Sequence, residues 1–375
     1  MIKSTPPMGW NSWNTFGADI NEQLIRDTAD KMVDTGLLNA GYEYLVIDDC
    51  WSLKERDENG RLAADPEKFP NGMKAVADYV HSKGLKFGMY SCAGNLTCTG
   101  YPGSFEHEFT DAETFAEWGV DFLKYDYCYH SNIIHGKYLY RRMGTALKNC
   151  GRDILFSACS WGADNTAEWM RETGAAMWRS TGDIVDSWAS IKSLTEEQES
   201  IFAYGGKGCF NDMDMLVVGM YGKGNVGLEG LNDTQYKTHF SIWALLGSPL
   251  MIGCDIRNMN DETLKILTNK ELIKINQDED CRQVFKLTNI WDGNVKAYAK
   301  NLENGDIALG FFNLGSAAAI VRVNLDELGL PESTGKTLCM RNVWEDETVT
   351  VKNGTIIHDI QPYDCLVYRC SVIDK

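Results

Sequence analysis

Val120-Asp-Phe-Leu-Lys-Tyr-Asp-Tyr127 is a short apolar and aromatic run that closes on a carboxylate. It is too short for an ordinary helix, and its composition predicts a strand buried within a sheet. Similar runs lie on either side of it. Met8–Trp13, Tyr44–Asp48 and Leu85–Ser91 precede it, and Ile154–Cys159, Met177–Thr181, Phe210–Leu216 and Leu250–Asp255 follow. The segments between them carry helix signals. Ile20 through Val33 has apolar positions at helical spacing, and Thr110 with Glu113 predicts a capping box ahead of Phe115 and Trp118. Eight strands alternating with helices are the composition of a (β/α)8 TIM barrel, with an open doubly wound α/β sheet as the competing topology.

Beyond Asp278 the rhythm changes. Val295–Ala299, Ile307–Phe312 and Ala319–Val323 alternate with period two and are separated by turn sequences such as Glu303-Asn-Gly-Asp306 and Lys352-Asn-Gly354. The expected organisation is a catalytic barrel over residues 1–280 and a small C-terminal antiparallel β-sandwich over 281–375. No catalytic constellation is legible in the second part.

The charge balance narrows the function. Against 36 basic residues stand 53 acidic ones, a net of −17 with no Lys/Arg-rich run, so the surface needed to neutralise nucleic-acid phosphates is missing. A small neutral ligand fits better. No run is long and apolar enough for a membrane span or a signal-peptide core, so the sequence reads as cytoplasmic, with no membrane partner. The twelve Cys are scattered without any CxxC pair, which predicts mostly reduced, buried thiols. With six His and no HExxH-type array, no metal site is expected.

In a barrel the C-terminal ends of the strands converge on one face, so polar residues that close apolar strands are the candidates for chemistry. The second strand ends in Asp48-Asp49-Cys50-Trp51, the third in Tyr90 and the fourth in Lys124-Tyr125-Asp126. The fifth ends in Cys159-Ser160-Trp161, the sixth leads to Arg179 and Asp183, and the seventh carries Asp212, Asp214 and Met215. Singly, each carboxylate reads as a turn or helix cap and each Trp as core. Gathered at one face, they suit a sugar. Glycoside cleavage needs an ionised carboxylate at the anomeric carbon and a protonated carboxyl at the leaving oxygen. Lys124, on the same side of its strand as Asp126, favours ionisation of Asp126 and so its role as nucleophile. Asp183 follows the Ser180-Thr-Gly182 turn, where partial burial would keep it protonated as the acid. Asp48, Asp49 and Arg179 could bind hydroxyls, and Trp13 offers an apolar face to the ring.

At these residues the chain resembles glycoside hydrolase family 27, the α-galactosidase and α-N-acetylgalactosaminidase family, over essentially its full length. The matching segments are Pro7-Met-Gly-Trp-Asn-Ser-Trp13, Ile47-Asp-Asp-Cys-Trp51, Gly119-Val-Asp-Phe-Leu-Lys-Tyr-Asp126, Trp178-Arg-Ser-Thr-Gly-Asp183 and Asn211-Asp-Met-Asp-Met215. The resemblance implies a barrel followed by a β-sandwich, a retaining mechanism without cofactor, Asp126 as nucleophile and Asp183 as acid/base. It also places Trp13, Asp48, Asp49, Tyr90, Lys124, Arg179, Asp214 and Met215 around a galactose ring. The chain departs from the family pattern at Cys50, whose expected disulfide partner position holds Gly17-Ala18, so Cys50 is expected free and the source bacterial. Cys98 and Cys128 occupy positions that look like another family disulfide, their oxidation state left open, and Cys92 stands where an acidic residue is common.

The loop after strand five, Cys159-Ser160-Trp161-Gly-Ala163, contacts the sugar 2-position in this family. Small side chains at Ser160 and Ala163 leave room for a 2-acetamido group and raise α-N-acetylgalactosaminidase activity as the alternative to α-galactosidase. A β-L-arabinopyranosidase uses the same chemistry on a smaller ring. A non-catalytic sugar-binding protein is the reading from a different class, and the presence of both carboxylates counts against it.

Overall fold

A computed structural model describes residues 4–288, 290 and 292–375. The eight expected strands form one parallel sheet: β1 (Met8–Asn11), β2 (Tyr44–Val46), β3 (Lys86–Cys92), β4 (Phe122–Asp126), β5 (Leu155–Ala158), β6 (Met177–Arg179), β7 (Phe210–Asp212) and β8 (Leu250–Ile252). From β1 to β7 each pairs with its neighbour in sequence, and β1 also pairs with β8. The ring closes through a single bridge, because β7 breaks at Asp214, a left-handed residue at φ 76°. Past the break Leu216 N donates to Met251 O at 2.7 Å and Gly253 N donates to Leu216 O at 2.9 Å, which joins the seventh segment to β8. The topology is therefore a (β/α)8 barrel.

Its interior is filled by inward-facing side chains. Tyr44, Val46, Phe122, Leu155, Met177, Phe210 and Met251 form one buried cluster, with Met215 and Trp13 packed against it at the strand ends. The larger core lies between strands and outer helices, where the apolar faces of those helices are covered.

Local signals account for the helices. The first long one spans Glu22–Asp34 and starts where the Asn21 side chain accepts from Leu24 N at 2.9 Å. The box expected at Thr110 and Glu113 does not form. The helix there begins at Glu108, because backbone bonds from His107 N to Ser104 O and from Asp111 N to His107 O start it earlier. Thr110 thus lies within the first turn, and its carbonyl accepts from Thr114 Oγ1. A reciprocal capping box does form at Asn232 and Gln235, opening the helix Asp233–Leu246.

After the barrel come a six-stranded antiparallel sheet and a two-stranded one. The pair Ala319–Asn324 and Thr355–Ile360 shows why: Ala319, Val321 and Val323 are buried and the residues between them exposed, the period-two signature of a sheet with one dry face. Val295–Asn301 and Ile307–Asn313 are central strands of the larger sheet. The helix Asp233–Leu246, buried along most of its length, is shared by both parts. Thr238 Oγ1 donates to Tyr363 O and Trp344 Nε1 to Ser241 Oγ. On the sandwich side Gly310 gives the room, since a Cβ there would come within 2.6 Å of the Leu245 side chain.

Cys98 and Cys128 form a disulfide, and the other ten cysteines, Cys50 and Cys92 among them, are free. Among the described residues no helix is long and apolar enough to cross a membrane.

Candidate active site

β4 ends at Asp126 and delivers its carboxylate to the mouth of the barrel, in register with Cys92 of β3. Both oxygens are held. Oδ1 accepts from Tyr127 N at 2.9 Å and Oδ2 from Tyr90 Oη at 2.9 Å. The Cys98 sulfur lies 3.4 Å from Oδ2. Burial pushes the Asp126 carboxyl up to about 6, while the Lys124 ammonium and the two donors pull it down. Lys124 does not touch it. Its Nζ donates to Asp48 Oδ2 at 2.8 Å, so the ion pair expected to favour Asp126 is made with Asp48 and reaches Asp126 only as a field. Burial opposes the charge on Lys124, but Asp48, together with Asp126 and the neighbouring Cys159, outweighs it and keeps the ammonium protonated.

A second network stands beside it. Asp48 Oδ2 also accepts from Asn11 Nδ2 at 2.8 Å, and Oδ1 from Asp49 N at 3.0 Å. Asp49 Oδ2 accepts from Thr99 Oγ1 at 2.7 Å, and Oδ1 from Cys50 N at 2.7 Å. Burial raises the Asp49 carboxyl against these bonds. Tyr90 is enclosed, its carbonyl taking a bond from Trp51 Nε1.

Across the mouth, Arg179 closes β6 and is almost fully buried. Nη2 donates to Asp183 Oδ1 at 2.9 Å and to Gly182 O at 2.7 Å, and Nη1 lies 3.1 Å from Asp214 Oδ1. Its Nε has no partner among the described residues. Asp214 is itself fixed: Oδ2 accepts from Ile184 N at 2.7 Å, and its backbone N donates to Asp212 Oδ1 at 2.9 Å. Asp183 departs from expectation, since 73% of its side-chain surface is open to solvent. The walls of the mouth strip some water from it and push its carboxyl up, but Arg179 pulls harder and the net shift is downward. Asp183 is thus an ion-paired carboxylate, not a burial-protonated acid.

The loop after β5 also corrects the sequence reading. Ser160 has no exposed surface, and its Oγ shares a 2.7 Å hydrogen bond with Thr166 Oγ1 behind the loop. Cys159 is enclosed too, 3.7 Å from Arg179 Nη1. Trp161, at φ 54°, and half-buried Ala163 remain at the surface, with left-handed Asp164 and Asn165 just beyond. These turns re-aim the chain, so that the smallness of Ser160 is used by packing.

Reading strand ends missed Asn11, which closes β1 and supports Asp48 by the same rule that found the others. Asp212 closes β7, and burial pushes its carboxyl up to about 6. Thr99 sits in a loop, and no local pattern marks it. A groove of about 730 Å³ between Arg141, Lys148, Arg152 and Glu172 opens near the start of β5, the opposite end of the barrel from the carboxylates. Chemistry on this fold belongs to the C-terminal face.

Two carboxylates, a buried Lys–Asp pair, an Arg held between two aspartates and the half-buried indole of Trp13 make a neutral polyhydroxyl ring the natural guest. The family model described as alpha galactosidase A matches residues 5–278, and that described as the alpha galactosidase C-terminal beta sandwich domain matches residues 292–370. An α-galactosidase of Cyamopsis tetragonoloba is 44% identical over 368 residues, covering 98% of this chain and 86% of that protein. The α-galactosidase A of Cellvibrio japonicus is 43% identical over 370 residues, covering 94% of this chain and 88% of that protein. The crystal structure of α-galactosidase I from Mortierella vinacea superposes with a TM-score of 0.91 at 33% identity, covering 98% of this chain and 96% of that one. On a match that spans most of its length, the chain belongs to the α-galactosidase family, glycoside hydrolase family 27.

Proposed function

We propose that Asp126 is the nucleophile and Asp183 the acid/base of this retaining exo-α-galactosidase, and that terminal α-D-galactose is the sugar it removes. The observation that carries the reading is the double anchoring of Asp126 at the end of β4 by Tyr90 and the Tyr127 amide. Fixed on both oxygens, the carboxylate is pre-oriented and needs no rearrangement to attack. In the first step an Asp126 oxygen bonds to the anomeric carbon as the bond to the leaving oxygen breaks and Asp183 gives that oxygen a proton. In the second, water replaces Asp126 and its proton passes to Asp183.

Asp183 must carry a proton for the first step, and Arg179 opposes this. A substrate seated over the mouth removes the water that covers most of Asp183 and moves its carboxyl upward. Asp126 acts as its anion, present above a carboxyl value of about 6 and lost as pH falls through it. In the substrate complex, where Asp183 holds its proton, the kcat profile is therefore expected to show an acid limb centred near pH 6. A limb near pH 4 would mean that the group controlling the reaction is not this buried carboxylate.

Galactose is favoured over N-acetylgalactosamine because Ser160, the residue whose small size would admit an acetamido group, is enclosed by its own loop. Purified protein is expected to cleave a chromogenic α-galactoside at least tenfold better in kcat/KM than the matching α-N-acetylgalactosaminide or β-L-arabinopyranoside. The reverse order would return the strand-five loop to the role of 2-position reader.

A further inference from the structure

Tyr129 lies three residues past Asp126 and breaks two local rules at once. Its φ is 46°, a conformation that bulky side chains rarely adopt, and it leaves 62% of its surface in solvent. Its aromatic and imidazole neighbours are used by the fold. Tyr127 stacks on His130 at 3.8 Å and donates its hydroxyl to Asp164, while the ring and hydroxyl of Tyr129 meet no ring or hydrogen-bond partner among the described residues.

The backbone beneath that ring is clamped. Cys128, the preceding residue, is tied to Cys98, and Asn95 N donates to Tyr129 O at 3.3 Å. Gly94 presses so closely that a Cβ there would meet Cys128 O at 2.1 Å and Tyr129 O at 2.5 Å. Three restraints from the loop after β3 thus hold a strained aromatic three residues from the nucleophile, most of its surface open to solvent.

We infer that Tyr129 is the platform for the departing sugar of the substrate, its ring stacking against the apolar face of the residue to which galactose is linked. This rests on Asp126 being the nucleophile, since that fixes where the anomeric carbon sits and places the leaving group outward of it, at the rim. Tyr suits the role: a rigid, amphipathic ring gives contact area at little entropic cost, and its hydroxyl is left to meet a sugar hydroxyl. The occupant is a neutral pyranose or furanose ring.

The test compares two substrates, one with and one without that sugar. α-Galactosyl fluoride carries only fluoride as leaving group, whereas 6-O-α-D-galactosylglucose presents a glucose to the rim. Tyr129→Asn removes the ring while tolerating the left-handed backbone, and Tyr129→Phe keeps the ring. For Tyr129→Asn we expect kcat/KM to fall about tenfold on the disaccharide, mainly through KM, and to stay within about twofold on the fluoride. Tyr129→Phe should recover most of the loss. Equal falls on both substrates would overturn the inference, because the ring would then only support the nucleophile, and so would no change on either. If the wild-type protein turned over neither substrate, the defeated claim would be the catalytic reading beneath it.

Discussion

Asp126→Asn is expected to lower kcat on every α-galactoside by about 10⁴-fold or more while making the protein more stable at neutral pH. The amide cannot form the glycosyl ester, so loss of activity follows from chemistry alone. The gain in stability follows from burial. In the fold the Asp126 carboxyl is pushed up to about 6 from its ordinary 3.8, so the native state binds this proton more tightly than the unfolded chain does. The stabilisation from that proton is complete below about pH 4 and is lost as pH rises through 6. At pH 7 the wild type therefore carries an ionised, enclosed carboxylate at a cost of about 3 kcal/mol at most, which a neutral amide avoids. The side-chain oxygen of the variant can still accept from the Tyr127 amide, and Lys124 keeps its Asp48 partner. Melting curves should place the variant a few degrees above wild type at pH 7, with the gap shrinking as pH falls and closing only below about pH 4. A variant less stable than wild type at pH 7 would show that the anion is held by more than the bonds described.

Asp183→Asn should lower turnover of galactosyl disaccharides by about 10³-fold, yet slow α-galactosyl fluoride by less than about tenfold. A sugar alkoxide is too basic to leave without a proton, and Asp183 is the group placed to give one. Fluoride needs little help. The substituted amide oxygen can keep its bond to Arg179, so the mouth is preserved and the difference between substrates isolates proton delivery. Comparable losses on both would make Asp183 a binding or orienting group, and the acid would have to be sought elsewhere. Loss of the Asp183 proton in the substrate complex should set a basic limb on the kcat profile, and that limb should vanish in this variant.

How far the sequence reaches is clearest at the strand ends. The apolar runs located every strand of the barrel, because a strand dry on both faces must be apolar nearly throughout. They overran its edges. Met8–Trp13 shortens to Met8–Asn11 because a helical turn begins at Trp13, and Phe210–Leu216 is broken by the left-handed Asp214. Asp48, Asp126, Arg179 and Asp214 were legible because barrel topology brings all C-terminal ends to one face, whatever lies between them. The ionisation of Asp183 was not, since it depends on which way the Arg179 guanidinium turns. The enclosure of Ser160 was not legible for a related reason: four left-handed residues, Trp161, Gly162, Asp164 and Asn165, turn the loop just after it, and their combined course cannot be read from residue type.

The single bridge that closes the barrel at Leu216 gives the small domain a mechanical task. The stretch from the break in β7 to β8 runs through the helix Asp233–Leu246, and the β-sandwich grips that helix along its outer side. A cask whose last two staves meet at one point needs a hoop there. The sandwich supplies it, so that a domain without catalytic residues keeps Asp214, and through it Arg179 and Asp183, from drifting apart as the seam breathes.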